Sequence, residues 1–179
     1  MQILEIKTAK KIEAHKNSLE KKLNVKINTS GRKVEVSGKE YNKYIAEKVF
    51  DAIDKNFSID TTLLLLNENY VFESINIKDH TRKKDLSIVK ARILGKKGRT
   101  IELLGELSEC ELTLNNNAVN IIGPAEKIKD ATNAVITLIH GAKVSKVYAY
   151  LEKARRKQFP EDLGLKIKGE GKDKEKDKE

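Results

Sequence analysis

Ala91-Arg92-Ile93-Leu94-Gly95-Lys96-Lys97-Gly98-Arg99-Thr100-Ile101-Glu102-Leu103-Leu104 is the stretch on which the reading of the whole chain turns. Two glycines bracket two lysines. Apolar residues flank them on both sides, Ile93-Leu94 before and Ile101 and Leu104 after. The flanks read as helices, so the glycines form a corner between two helices rather than a turn between two strands. Glycine at such a corner lets another backbone come close, because no Cβ holds it off. The second helix starts just after Gly98, so its unpaired amides and positive dipole end face that visitor. Lys96, Lys97 and Arg99 add attraction for an anion. A glycine pair alone is an ordinary turn signal, so the case rests on what surrounds it.

Outward from the corner, Ser87 to Leu94 reads as a short helix and Arg99 to Ser108 as a longer one. Before them come an imperfect strand, Tyr70 to Ile77, and a polar loop, Lys78 to Asp85. After them come a strand carrying Leu112 and Leu114, a return strand with Val119 and Ile121, and a long helix. The order is βααββα. This arrangement resembles the KH (K homology) signature, in which an apolar pair precedes GxxG and an apolar residue follows three positions after it. The resemblance implies a cleft for about four unstacked bases. Its apolar wall is assigned to Ile93, Leu94, Ile101 and Leu104, with Leu112 and Leu114 from the neighbouring strand; core packing explains Leu104 and Leu112 equally well. From Lys78 to Arg99 there are nine Lys/Arg and two Asp, a balance of +7 in 22 residues, and Lys90 and Arg92 in this run join the expected RNA contacts. His80 has no acid or nucleophile at a fixed offset and reads as a surface residue.

Laid on itself with a shift of 85 residues, the chain repeats. Ile27 falls on Leu112, Val34 on Val119, Val36 on Ile121, Gly38 on Gly123, Ala46 on Ala131, Phe50 on Val135 and Ile53 on Leu138. The first copy reads as strand, helix over Ala9–Lys22, two strands and helix. The shift places Lys10-Lys11-Ile12-Glu13 on the glycine corner, so both glycines are gone. The expected fold class is α+β, with two tandem type I KH-like domains. Residues 1–66 form the degenerate one, which lacks GxxG, and residues 70–142 the intact one. A basic helix follows over 143–158 and a disordered charged tail over 160–179. In the first copy, Lys7, Lys10, Lys11 and Lys16 leave open an electrostatic contact with RNA.

Composition agrees. The chain has 179 residues, 36 Lys/Arg against 27 Asp/Glu, and a net charge of +9, which favours a polyanionic partner, although a Lys/Glu-rich surface of ion-pair networks gives similar totals. The single cysteine, Cys110, cannot form an internal disulfide and fits a reducing, cytoplasmic setting. It sits in an apolar run and reads as a small buried residue. No Cys/His spacing suits a metal, no carboxylate pair or Walker-type loop suits catalysis, and no apolar run is long enough for a membrane. The expectation is a monomer that is not an enzyme, with no cofactor and no metal. The final helix has Val144, Val147, Tyr148 and Leu151 on one face and six basic residues against one acid, so Lys146, Arg155 and Arg156 are further candidate RNA contacts.

Gly95 to Thr100, Ile121-Ile122-Gly123, Leu138-Ile139-His140-Gly141 and above all Ser145-Lys146-Val147-Tyr148 with Leu151 are similar to the compact archaeal form of the partner-of-Nob KH proteins of small-subunit ribosome assembly. The chain departs at Ala142-Lys143-Val144, where members carry a proline after the glycine. The resemblance implies binding near the 3′ end of precursor 16S rRNA, work alongside the Nob-type endonuclease, and contact with the alpha subunit of translation initiation factor two. Two alternatives stay open: an exosome-associated or mRNA-binding KH adaptor, and a protein-interaction scaffold.

Overall fold

The alternation Lys33-Val34-Glu35-Val36 suits a strand with one dry face, and the chain folds it so. The computed structural model describes residues 2–158, and the tail expected over 160–179 lies outside them. The first unit runs β1 (Gln2–Glu5), α1 (Ala9–Ala14), α2 (Lys16–Leu23), β2 (Lys26–Ser30), β3 (Lys33–Ser37) and α3 (Glu40–Asp54). A connector follows, made of α4 (Ile59–Leu63) and a 3-10 turn at Leu64–Leu66. The second unit runs β4 (Tyr70–Asn76), α5 (Ser87–Leu94), α6 (Arg99–Ser108), β5 (Glu111–Asn115), β6 (Ala118–Pro124) and α7 (Ala125–Ile139). It is followed by α8 (Val144–Gln158). Both sheets are antiparallel with the third strand central, β1-β3-β2 and β4-β6-β5. The expected α+β class with two βααββα units of type I order is the fold observed.

Two details differ from the sequence reading. The single helix expected over Ala9–Lys22 is two, broken at His15, whose dihedrals leave the helix (φ −113°, ψ 15°). His15, Asn17 and Ser18 are only moderate helix formers, but no Gly or Pro marks the break, so periodicity could not find it. Lys10 to Glu13 consequently lie inside α1, and the helix–helix corner of the first unit is at His15. The shift of 85 is not uniform either. Leu4 pairs with Val34 as Ile75 pairs with Val119, so the first strands differ by 71. The second unit therefore carries 14 extra residues ahead of α6, which lengthen the loop before α5 and make room for the glycine corner.

The two units share a pairing that explains Gly38 and Gly123. A Cβ on Gly38 would sit 3.1 Å from the Val25 side chain, and one on Gly123 would overlap the Cys110 sulfur and lie 3.0 Å from its Cβ. Cys110 is the counterpart of Val25. Burial pushes its thiol up from 9.0 to about 11, with the Ser108 side chain opposing in part. The folded state thus holds the proton more tightly than the unfolded chain. Its contribution is complete below pH 9 and is lost as pH rises through about 11. Cys110→Val, which restores the first unit's pairing, is expected to match the parent in urea denaturation at pH 8 and exceed it at pH 10.5. Equal alkaline losses in both would refute a buried neutral thiol.

The units are joined face to face. Val119 and Ile121 of β6 enter the second core, under α5, α6 and α7, while Ile122 enters the first core with Phe50, Ile53 and Phe57. Phe72, opposite Ile122, meets Phe57 edge-on with ring centres 6.2 Å apart. Thr113 and Asn115 of β5 donate to the carbonyls of Lys55 and Asp54 at 3.0 Å each. These are carbonyls that the end of α3 leaves without helical partners. The outer face of the first sheet, by contrast, shows Ile3 and Asn28 to solvent.

Candidate nucleic-acid interface

Helix α5 ends because Gly95 adopts φ 70°, ψ −178°, a conformation closed to ordinary side chains. Its amide still donates to the Ala91 carbonyl at 2.8 Å. Lys97 (φ 54°) and Gly98 (φ 80°, ψ 0°) continue in left-handed conformations, and α6 starts at Arg99. Gly98 offers no side chain to cap α6, so the first amides of that helix point outward unclaimed by a capping side chain. The two glycines serve different ends. A Cβ on Gly95 would lie 2.6 Å from Thr100 Cβ and 2.9 Å from Thr100 N, so Gly95 is fixed by packing. A Cβ on Gly98 would meet only Glu102 Oε1, at 3.8 Å, so Gly98 keeps open space open.

Lys96 and Lys97 are exposed, and Arg99, also exposed, stands 3.9 Å from Glu102. At that exposure the pair is worth little and leaves the guanidinium free to turn to a phosphate. Leu94 is 39% exposed beside the corner. Ile101 and Leu112 are half-buried and line a groove of about 490 Å³ between α6 and β5. Gly105 lets the walls approach, since a Cβ there would be 2.9 Å from the Cys110 carbonyl.

Other candidates fall elsewhere. Ile93 and Leu104 are buried in the second core, at 0% and 1% exposure, so they shape the groove from behind and offer no surface to a base. Leu114 is half-buried against the same core. Lys90 and Arg92, on α5, are half-buried, and Arg92 donates to the Leu138 carbonyl at 3.4 Å. Lys146 lines a separate groove between α7 and α8. Arg155 is paired with Glu109 at 3.5 Å, where Lys127 also reaches at 3.2 Å, so it ties α8 to the end of α6. Arg156 is exposed on the same helix.

Sequence reading overlooked the acids along the groove, Glu102 beside the corner and Glu106, Glu109 and Glu111 beyond it. The signal was present: three of these acids recur at helical spacing along α6. A groove that is basic at its mouth and acidic beyond polarises a strand laid in it. Phosphates would be favoured at the corner and repelled further in, where carboxylates can accept hydrogen bonds from base amino groups.

In the first unit the corner is closed. Only His15 separates α1 from α2, its ring bonded to the Lys11 carbonyl at 3.0 Å, and Lys11 donates to the Phe57 carbonyl at 2.8 Å. A lysine engaged inside its own unit is poorly placed to attract RNA. Among the described residues no group of three or more His, Cys, Asp or Glu is arranged to hold a metal, and no helix is long and apolar enough to cross a membrane.

The family description of the eukaryotic type KH domain (type I), as found in the second KH domain of PNO1, matches residues 71–156. A KH domain-containing protein of Methanocaldococcus jannaschii is 32% identical over 151 residues, covering 79% of this chain and 66% of that protein. The pre-rRNA-processing protein pno1 of Emericella nidulans is 32% identical over 148 residues, covering 76% of this chain and 57% of that one. Dim2p of Pyrococcus horikoshii OT3, solved in an a/eIF2alpha-aDim2p-rRNA complex, superposes with a TM-score of 0.76 at 27% identity, over 87% of this chain and 94% of that one. This chain belongs to the PNO1/Dim2 family of KH-domain proteins. The family is one of RNA-binding pre-rRNA-processing factors. The chain spans 66% and 57% of the two sequence relatives, about two thirds of one and just over half of the other. The family match takes in α8 as well as the KH unit, in keeping with the packing of Val147 and Leu151 into the second core.

Proposed function

We propose that this chain is a non-catalytic assembly factor that holds single-stranded RNA from the 3′ end region of precursor 16S rRNA while the small ribosomal subunit matures. The observation that carries the proposal is the corner at Gly95–Gly98, with uncapped α6 amides, open space over Gly98, and exposed Lys96 and Lys97 around it. That corner binds a phosphate backbone without reading sequence, and the groove beside it receives the bases. In this reading residues 1–66 are a structural unit without a groove, residues 70–142 bind RNA, and the helix over 143–158 braces them. The relatives' pre-rRNA-processing role and the presence of rRNA and a/eIF2alpha in the Pyrococcus complex support the choice of RNA. They also make the initiation factor's alpha subunit a proposed partner, and a Nob-type endonuclease acting on the held segment is the proposed recipient.

Crosslinking in the native cell with site mapping tests this. The expected result is enrichment at the 3′ end of 16S rRNA and its precursor. Sites scattered over messenger RNAs would refute the assembly role in favour of an mRNA adaptor.

A further inference from the structure

The 14 extra residues of the second unit exceed what the glycine corner needs. Most of them form the loop between β4 and α5, where the fold itself uses Ile77, fully buried, and Leu86, half-buried. The rest of the loop is strongly basic. Lys78, Arg82 and Lys83 line a pocket of about 690 Å³ closed on its other side by His140 at the end of α7. The His80 ring stands 6.5 Å from the His140 ring, tilted by 60°. The loop's acids are engaged locally: Asp79 accepts from the Asn76 side chain at 3.1 Å, and Asp85 accepts from the Ser87 amide at 2.8 Å. Lys78, Arg82 and Lys83 make no ion pair among the described residues. Three cations against the one carboxylate of Asp79, which also lines the pocket, leave a balance of +2 in six residues, and an anion placed among the cations relieves their repulsion.

One cation stands between the pocket and the cleft, Arg92 on α5. Arg92 reaches the Leu138 carbonyl at 3.4 Å and lies 3.5 Å from where a side chain on Gly141 would begin, next to His140. Three residues further along the chain is Gly95, about 5 Å along a helix. Arg92 thus places one further cation between the glycine corner and the His140 end of the pocket.

We infer that this pocket is a second RNA site, which takes backbone phosphates of the nucleotides flanking the segment held in the cleft. Lys78, Arg82 and Lys83 supply the charge, and the rings of His80 and His140 supply hydrogen bonds. The inference rests on the cleft reading and extends it: the cleft selects, and the pocket adds length-dependent affinity. The lining is cationic and polar rather than apolar, which favours a phosphate chain over a protein surface.

Fluorescence anisotropy with two labelled RNAs from the 3′ end of archaeal 16S rRNA, 5 and 12 nucleotides long and sharing one core, tests it on the full chain. The combined change Lys78→Glu, Arg82→Glu, Lys83→Glu is expected to leave the 5-mer within about twofold of the parent and to weaken the 12-mer about tenfold or more. The slope of log affinity against log salt for the 12-mer should fall by about 2, from about 0.7 per lost phosphate contact. The corresponding triple Gln variant should shift the same way by less. Equal loss on both RNAs would reduce the loop to long-range attraction and overturn the site. An unchanged 12-mer would also overturn it and leave the pocket to a protein partner. Gly98→Asp separates the two readings. If it abolishes binding of both RNAs while the loop variants do nothing, only the second site fails; if it changes neither, the cleft itself fails.

Discussion

Gly98→Asp is expected to abolish binding of short single-stranded RNA while the chain still folds. At φ 80°, ψ 0° the residue is left-handed, a conformation that Asp tolerates better than most, at roughly 1–2 kcal/mol. The new Cβ would meet only Glu102 Oε1, at 3.8 Å, so no packing is disturbed. The carboxylate would occupy the space over the α6 amides, where a phosphate must sit, and would repel it. Losing a charge-assisted hydrogen bond and gaining a like charge should together cost about 3 kcal/mol, on the order of 100-fold in affinity. Gly95→Ala is the control. Its methyl would sit 2.6 Å from Thr100 Cβ, so it should lower the melting temperature and loosen the corner. Anisotropy and thermal unfolding on both variants separate the roles. Binding by Gly98→Asp within twofold of the parent would remove the corner from the RNA site.

Ile122→Ala is expected to destabilise the protein by about 2–5 kcal/mol, as large-to-small changes at fully buried sites do. What distinguishes it is where the damage falls. Ile122 is fully buried and belongs to the first core, although it sits on a strand of the second unit. Ile121, its neighbour, is equally buried and belongs to the second core. Hydrogen exchange after Ile122→Ala should speed up in α3 and β3, whereas Ile121→Ala should act on α7 and β5. A first unit that stays as protected as in the parent after Ile122→Ala would mean that the two units do not depend on each other across this face.

Much of the fold was legible because its determinants are local. Helices Ser87–Leu94 and Arg99–Ser108 were read to the residue, because Gly95 and Gly98 stop and start them and their apolar residues recur at helical spacing. The shift of 85 holds through β2, β3 and α3, and it preserves the strand register: Ile27 pairs with Val36 as Leu112 pairs with Ile121. The break at His15 was not legible, because no Gly or Pro marks it and Ile12 and Leu19, seven residues apart and both in one core, would share a face of an unbroken helix as well. Helix α4 went unread, although Ser58 caps it by accepting from the Thr61 amide at 3.0 Å. In the candidate site the corner was plain from sequence, but the burial of each apolar residue beside it was not. Apolar character does not say which side of a helix is dry, and Ile93 and Leu104 turned to the core while Ile101 and Leu112 turned to the groove.

By itself the sequence determined that the chain is a duplicated βααββα protein with one open glycine corner and one without glycine. Glycine, charge and periodicity act within a few residues, and the chain records them directly. Only the tertiary structure decided what those residues face. It showed that Gly95 is held by Thr100 and Gly98 by nothing, and that Arg155 is tied to Glu109. It showed that Ile122 closes the other unit's core and that His140 meets a basic loop 60 residues earlier in the chain. Each of these depends on contacts between segments far apart in sequence. Their energy comes from excluding water and from placing charges beside one another, and neither exists until the chain has folded.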